Sequence, residues 1–276
     1  MNPDFHYNRM LGIGIRAGMS EEDVVKFAYS SQMVDDNHSS VGVKLPSGNF
    51  FYNRISQTMN VFAGDRTRSE IYPIFHFLPG ESGKASVRKD GKMHKMCVTP
   101  GSVLCGQVMS AALETGDIYR IGIAAHVCCD TWAHQNFIGE WDEFNGMEKW
   151  TPDIGHADAG ENPDITGLKW EDNRLIKPDI DNAIRFNEAE TWISKKLNAS
   201  LKPADKVIFE EYDKGKWFDS AVKTNLVTHQ INKTTTLEKR YSFREGFEDS
   251  DWYRFQCAIY GHAEFVTSCL KEKGLI

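Results

Sequence analysis

Apolar side chains recur at helical spacing along much of the chain, and this pattern predicts an all-α, mainly helical fold. A first helix is predicted over residues 3–17 and a second over 21–34. Ser20 followed by Asp23 is typical of an N-cap with an acidic partner, so the second helix is expected to begin there. Three further stretches have the same spacing and predict helices, at residues 102–115, 181–197 and 251–271.

Short extended pieces and loops separate these predicted helices. Residues 41–46 and 49–52 are brief apolar runs, and residues 71–80 form a rigid apolar segment closed by Pro-Gly. Residues 80–100 are rich in Gly, Lys and Ser, which indicates an exposed loop or hairpin. Because neither an internal repeat nor a linker interrupts the pattern, residues 1–276 are predicted to form one domain, a multi-helix bundle with long loops.

A largely apolar stretch near the middle of the chain carries an unusual polar stripe. Residues 121–137 predict a buried helix with Asp117 as its N-cap, yet His126, Asp130 and His134 follow one another at steps of four. Polar groups on a buried helix are costly unless something binds them. At a rise of 1.5 Å per residue, His126 and His134 lie ~12 Å apart along the axis. One metal ion therefore cannot take all three ligands, whereas two ions can, with Asp130 between them.

Composition limits the class of protein. The hydrophobic content of 41% and the charged content of 26% are typical of a globular protein. The net charge of −7 argues against stable binding to nucleic-acid backbones. No apolar run approaches the ~20 residues that a membrane span needs, and no signal peptide is visible. The six cysteines form no C-x-x-C pair and are expected to be reduced and buried, which together predicts a cytoplasmic protein.

Histidine and carboxylate side chains in unexpected places form an ordered series along the chain. Taken singly, His76 also fits a core histidine, and Asp35 with Asp36 also fits a solvated turn. Together they are the ligand types that zinc accepts, and iron or manganese would also fit. The candidate metal ligands are His6, Asp35, Asp36, His76, His126, Asp130, His134, His156 and Asp158. The series predicts a metal-binding part at about residues 4–170, followed by C-terminal helices at about 180–276.

Several segments around these residues resemble an uncharacterised bacterial family that is named only as a domain of unknown function. The resemblance covers about residues 4–170. Its segments are Asp4-Phe-His-Tyr, Ser31-Gln-Met-Val-Asp-Asp-Asn, Phe75-His-Phe-Leu-Pro-Gly, His126-Val-Cys-Cys-Asp-Thr-Trp-Ala-His-Gln and Ile154-Gly-His-Ala-Asp-Ala-Gly. The order of the ligands also resembles, more distantly, that of the zinc-dependent phospholipases C and the fungal single-strand nucleases. That resemblance implies their all-helical fold, a trinuclear zinc cluster and phosphodiester hydrolysis.

The distant resemblance also implies how the ligands divide. One ion would take Asp35 or Asp36 with His76, His126 and Asp130. A second would lie between His6 and a bridging Asp130, and a third would take His134 and His156 with a nearby carboxylate. The phospholipases add a free terminal amine, which is not among the ligands predicted here because Met1 lies five residues before His6. Their acid four residues after the last histidine is Gly160 here, so Asp158 or Glu161 must substitute.

These residues predict a metal-dependent hydrolase with one to three zinc-type ions and a small-molecule substrate, and the distant resemblance implies that the substrate is a phosphoester. A bound ion lowers the pKa of water toward ~7 and so supplies hydroxide at neutral pH. Asp35 or Asp36, whichever is not committed to metal, is expected to orient that water. Two alternatives remain, a non-catalytic metal site that stabilises the fold or binds a partner, and a metal-free polar network in the core. Neither the identity of the substrate nor the oligomeric state is predicted.

Overall fold

Helices make up most of the structure, a computed structural model that describes residues 1–58, 65–147, 152–198, 212–213, 215–221, 239–242 and 244–276. A π-helical segment, Asp4–Arg9, leads directly into the first α-helix. The α-helices in the described part of the chain are α1 Met10–Arg16, α2 Glu21–Asp36, α3 Asp65–Phe75, α4 Val103–Thr115, α5 Ile118–Ala133, α6 Asn182–Lys196, α7 Lys216–Ala221 and α8 Asp251–Glu272. The predicted mainly helical character is confirmed for these residues.

Five short strands accompany the helices within the described ranges. They are β1 Val41–Lys44, β2 Phe50–Tyr52, β3 Lys169–Glu171, β4 Asp179–Asp181 and β5 Lys239–Ser242. In the first sheet, β1 lies between an antiparallel β2 and a parallel β5, with Val43 opposite both Phe51 and Tyr241. The second sheet is an antiparallel β3–β4 pair. The extended pieces predicted near residues 41–46 and 49–52 are therefore confirmed, whereas β3 and β4 were not predicted.

Side-chain caps determine where two of the central helices begin. The Ser20 hydroxyl accepts the backbone N–H of Asp23 at 3.1 Å, as the sequence predicted for α2. The Asp117 carboxylate accepts the N–H of Tyr119 at 2.9 Å, which confirms the predicted cap of α5. Just before that cap, Gly116 ends α4 in the left-handed conformation with φ 65°. The two helices can therefore follow each other with a single sharp turn.

Helix α5 is the centre of the core. Every residue from Tyr119 to Ala133 is buried, and α2, α4, α6 and α8 pack around the helix. Gly122 permits the close approach of α2, because a Cβ there would lie 2.5 Å from the Phe27 carbonyl oxygen. A polar side chain on α5 therefore cannot reach bulk water, and its partners must come from other elements of the protein.

One helix and one helix boundary differ from the prediction. Helix α3 was not predicted, because Pro73 lies inside it and proline lacks the N–H that continues a helix. Helix α5 ends at Ala133 rather than at residue 137. His134 is its C-cap, and Asn136 adopts φ 68°, a left-handed conformation in which the helix cannot continue.

Two expectations from composition can be compared with the described residues. No helix among them combines the length and apolar character needed to cross a lipid bilayer. All six cysteines are free thiols, and four of them are buried as predicted, whereas Cys257 is exposed and Cys269 is half-buried. The predicted C-terminal helices correspond to α6, α7 and α8, and residues 199–211 and 222–238 of that range lie outside the described part of the chain.

Candidate metal centre

Separate parts of the chain bring eight His and Asp side chains together around the middle of α5. His6 comes from the π-helical segment, and Asp35 comes from the last turn of α2. The other members lie after α3, on α5 or its cap, and in the loop that follows, and they are His76, His126, Asp130, His134, His156 and Asp164. We call this set the metal centre. It contains every predicted ligand except Asp36 and Asp158.

Asp130 is the central member, and its side chain is fully buried. Its Oδ1 lies 3.0 Å from His6 Nε2, and its Oδ2 lies 3.3 Å from both His76 Nδ1 and His126 Nε2. Burial alone would raise the pKa of Asp130. The positive charges of the Met1 amino group and the surrounding histidines outweigh burial and hold that pKa well below its usual range. Both oxygens of an ionised Asp130 are thus presented to different neighbours, as a bridging carboxylate requires.

The ligand atoms form three neighbouring triads. In each triad, one nitrogen or oxygen from every member lies within 4.8 Å of the others. The triads are His6 with His126 and Asp130, Asp35 with His76 and His126, and His134 with His156 and Asp164. The first two share His126. The arrangement therefore matches the expected division among two or three ions better than it matches a single site.

Backbone carbonyls fix the orientation of three of the histidines. His76 Nε2 donates to the Ser56 carbonyl at 2.8 Å, and His134 Nδ1 donates to the His76 carbonyl at 2.7 Å. His156 Nδ1 donates to the Gly160 carbonyl at 2.8 Å. In the neutral imidazole, the other nitrogen of each ring then carries a lone pair, and it faces the metal centre. Metal-binding histidines have this outer hydrogen bond almost without exception.

Several hydrogen-bond acceptors converge on the ring of His126. Its Nε2 lies 3.4 Å from His76 Nδ1, 3.3 Å from Asp130 Oδ2 and 3.7 Å from Asp35 Oδ1. His76 Nδ1 is an acceptor because its other nitrogen donates to Ser56. One N–H of His126 can satisfy only one of these acceptors, whereas a metal cation attracts all of them. This donor set therefore fits a metal ion.

The other carboxylates of the centre have unlike environments. Asp35 keeps 24% of its side-chain surface exposed, and burial of the remainder raises its pKa to about 6. Asp164 lies 3.0 Å from His134 Nε2 and 3.3 Å from His156 Nε2. Burial opposes ionisation of Asp164, but the charges of the Met1 amino group and of these histidines outweigh it and lower its pKa. Asp35 is therefore the carboxylate of the centre that most readily takes up a proton.

The amino group of Met1 also lies in the centre. It is 2.7 Å from Asp130 Oδ1 and 3.1 Å from Asp164 Oδ1. Burial lowers the pKa of an ammonium group, but the two carboxylates and Asp35 overcome this effect and raise the pKa of this one to about 11. The carboxylates thus hold a positive charge between them in this structure. Met1 was not among the site residues predicted from the sequence.

Two predicted ligands lie outside the centre, and these predictions are corrected. Asp36 accepts hydrogen bonds from the Tyr212 hydroxyl and, at 3.4 Å, from the Gln32 amide, so Asp35 is the member of the pair that faces the centre. Asp158 accepts the backbone N–H of Met147 at 2.7 Å. The carboxylate beside His134 and His156 is Asp164, rather than Asp158 or Glu161.

A cleft with a volume of about 400 Å³ opens onto the metal centre. Asp35, His76, His134, His156 and Asp164 lie along it, and Glu161 lies on its wall. Apolar side chains also line it, namely Tyr72, Phe77 and Ile154. None of its described lining residues is lysine or arginine. Positive charge for an anionic ligand would therefore come from the Met1 amino group or from ions bound at the metal centre.

One family model, described as "Family of unknown function (DUF6765)", matches residues 1–209. The chain belongs to this family. The predicted match over about residues 4–170 falls within that range, and so do the metal centre and its cleft, whereas α8 lies beyond it. No curated protein and no solved structure matches the chain. Membership of an uncharacterised family is thus confirmed, and these comparisons lend no support to the resemblance to phospholipases C and nucleases.

Proposed function

We propose that this protein is a metal-dependent hydrolase that binds two or three zinc-type ions at the metal centre and cleaves small phosphoesters. The observation that carries the proposal is the convergence of acceptors beside His126. Asp130 Oδ2, Asp35 Oδ1 and the lone pair of His76 Nδ1 all approach the same ring nitrogen. Acceptors brought together in the core in this way are costly unless a cation binds them.

The three triads would hold the ions. Asp35, His76 and His126 form one set of ligands, His6 and Asp130 contribute to a second, and His134, His156 and Asp164 form a third. Bound ions of this type lower the pKa of a water molecule toward ~7 and stabilise the negative charge that develops on ester oxygens. His76, His134 and His156 are held in place by their outer hydrogen bonds, which reduces the reorganisation needed when an ion binds.

Asp35 is the best candidate for a proton acceptor. It lines the cleft and keeps part of its side chain exposed, so a water molecule in the cleft can reach it. Its Oδ1, 3.7 Å from both His76 Nδ1 and His126 Nε2, would contact the ion, and its other oxygen would orient the water molecule, because Asp36 is turned away. Asp36 is bound to Tyr212 instead and is not proposed to act.

The cleft favours a small substrate over a polymer. Its volume of about 400 Å³ is within the range of small-molecule sites. Among its described residues the cleft offers carboxylates and no lysine or arginine, and the whole chain carries a net charge of −7, which disfavours nucleic acid. Tyr72, Phe77 and Ile154 would contact an apolar part of the ester. Phosphoesters are preferred because multinuclear zinc-type centres suit displacement at phosphorus.

Metal content and hydrolysis, measured together, test the proposal. Wild-type protein purified without added metal is expected to hold two or three equivalents of zinc or iron by plasma mass spectrometry. It is also expected to hydrolyse bis(4-nitrophenyl) phosphate. The variant Asp130→Asn is expected to lose most of the metal and the activity. Asp158→Asn serves as the control, because Asp158 lies on a nearby loop and does not join the centre.

A structural metal site is the second candidate, because His6, His126 and Asp130 are completely buried. Stoichiometric metal without hydrolysis of any phosphoester in a broad screen would favour this candidate. Absence of metal from folded protein, even after reconstitution, would contradict both proposals and leave a polar network in the core.

A further inference from the structure

A second cavity, of about 190 Å³, lies between the loop after Gly80 and the segment that follows α5. Among the described residues, it shares none of its lining with the cleft of the metal centre. The residues that determine its chemistry are Ser86, Arg88, Lys92, His94, Asn136 and Phe144.

Asn136 lines this cavity and carries an unpaired side-chain donor. Its side-chain Oδ1 accepts the backbone N–H of Ser86 at 2.9 Å, which fixes the orientation of the amide because only the oxygen can accept. Its Nδ2 is buried and has no hydrogen-bond partner among the described residues, and Asn136 as a whole is only 2% exposed. A buried N–H group without an acceptor is costly, so the position favours a ligand that supplies one.

His94 provides a second donor. Its Nδ1 accepts the backbone N–H of Met96 at 3.1 Å, so in the neutral ring the proton lies on Nε2. Among the described residues, no protein group accepts that Nε2–H. The ring packs near Phe144, with 5.5 Å between the ring centroids. Asn136 and His94 thus line the same cavity, each with its donor assigned by a backbone contact.

The charged residues of the cavity are already balanced. The Arg88 guanidinium contacts the Asp90 carboxylate at 2.9 and 2.7 Å and packs over the Phe144 ring at 4.2 Å. The Lys92 ammonium contacts the Glu143 carboxylate. A cavity with free donors and little surplus positive charge suits a singly charged anion better than a phosphate dianion.

Apolar side chains complete the lining. Phe144 and Ala85 lie inside the cavity, and Val87 and Met93 lie at its rim, 69% and 75% exposed. We propose that this cavity is a binding site for a short-chain monocarboxylate. The carboxylate oxygens would accept hydrogen bonds from Asn136 Nδ2 and His94 Nε2, and the alkyl chain would pack against Phe144.

A titration of ¹⁵N-labelled protein with sodium propionate tests this site. The side-chain amide signal of Asn136 is expected to shift in a saturable manner, with a dissociation constant on the order of 1 mM for so small a ligand. Sodium chloride at matched ionic strength is expected to cause no such shift. The same titration of Asp35→Asn is expected to give the same constant, because Asp35 belongs to the other cavity.

Two variants separate this site from other binding of propionate. Asn136→Asp retains the acceptor for Ser86 N–H, and aspartate tolerates a φ of 68°. Because it replaces the donor with a carboxylate oxygen, it is expected to weaken binding, followed through the backbone amide signal of Ser86 in this variant and in the wild type, by about tenfold or more. His94→Phe, followed through the Asn136 amide, is expected to weaken binding severalfold. An affinity equal to that of the wild type in both variants would overturn the proposal, and so would the absence of a saturable shift in the wild type. Equal binding of propionamide would overturn the assignment to a carboxylate.

Discussion

The carbonyl oxygen of Ser56 accepts the Nε2 hydrogen of His76 at 2.8 Å, and this bond turns His76 Nδ1 toward Asp130. Ser56 itself is held by Asn37, which lies directly after α2. The side-chain Nδ2 of Asn37 donates to Ser56 Oγ at 3.2 Å. The side-chain Oδ1 of Asn37 accepts from the amide of Gln256 on α8 at 3.1 Å. A buried network thus links two helices to the orientation of one histidine.

Asn37→Ala is expected to disrupt this network and reduce metal affinity by about tenfold, because outer hydrogen bonds of ligating histidines commonly contribute 10- to 100-fold. The free energy of unfolding is expected to fall by about 2 kcal/mol, since several buried partners lose their bonds. Competition with a fluorescent zinc chelator measures the affinity. Asn8→Ala, an exposed amide on the first helical segment, is the control. Lower stability with unchanged metal affinity would show that the network only supports the fold.

Asp35 and Asp36 provide a matched pair of neighbouring carboxylates. Asp35→Asn is expected to lower kcat for phosphoester hydrolysis by about 100-fold or more, because it removes the proposed proton acceptor. Asp36→Asn is expected to stay within about threefold of the wild type, since an amide oxygen can still accept from Tyr212. Initial rates on bis(4-nitrophenyl) phosphate are compared among the two variants and the wild type, with metal content measured in parallel. Equal losses in both variants would remove Asp35 from the proposed mechanism.

His262 predicts how the free energy of unfolding depends on pH. This histidine is fully buried on α8, where burial and the charge of Arg120 lower its pKa from 6.5 to about 3. Between these values the unfolded chain binds a proton that the folded protein does not. The folded state is therefore destabilised as the pH falls below 6.5, by roughly 1.4 kcal/mol per pH unit from this residue, and is unaffected above it.

The variant His262→Gln is expected to lose that part of the pH dependence, while its amide can still donate to the Ile74 carbonyl that His262 Nε2 contacts. Urea unfolding of both proteins between pH 7.5 and 4.5 gives the comparison. Since other buried histidines affect both proteins alike, the difference between the two slopes isolates His262. Parallel curves would mean that His262 takes up its proton without unfolding.

Gly155 lines the cleft beside Phe77. Its φ is 53°, and a Cβ at this position would lie 2.6 Å from Cζ of Phe77, whose ring stacks on His134 at 4.7 Å. Gly155→Ala is therefore expected to displace Phe77 and disturb the triad that contains His134. Gly167→Ala is the matched control, because Gly167 has φ 73° and open space around it.

Both alanine variants carry the cost of a left-handed backbone, about 1 kcal/mol. Gly155→Ala is expected to cost about 2 kcal/mol more, as is typical of overpacking in a rigid site. It is also expected to reduce metal content, whereas Gly167→Ala is not. Thermal unfolding and plasma mass spectrometry provide the two readouts. Similar behaviour of the two variants would indicate that Phe77 moves aside without disturbing the metal centre.

The parts of the structure that follow a regular period were predictable from the sequence. The helical repeat placed His126 and Asp130 on one face of a buried helix, and local cap chemistry placed Ser20 and Asp117 at the starts of helices. These features depend on neighbours within a few residues. They were therefore visible without any knowledge of the tertiary structure.

The remaining site residues depend on contacts between distant segments. Asp35 and Asp36 are adjacent on α2, and only the position of Tyr212 shows which of them turns away from the centre. Asp164 lies in an irregular loop after His156, and no period indicates that it returns to His134. The position of Met1 likewise follows from how the first segment packs against α5.

His76 contacts two of the three triads of the metal centre. Its ring belongs to the triad with Asp35 and His126, and its backbone carbonyl accepts the hydrogen of His134, which belongs to another triad. An ion that fixes the ring of His76 would also steady this carbonyl, and part of the ordering required for the next ion would already be complete. We therefore expect metal uptake to be cooperative, with a binding isotherm steeper than that of independent sites and few half-loaded molecules at intermediate metal concentrations.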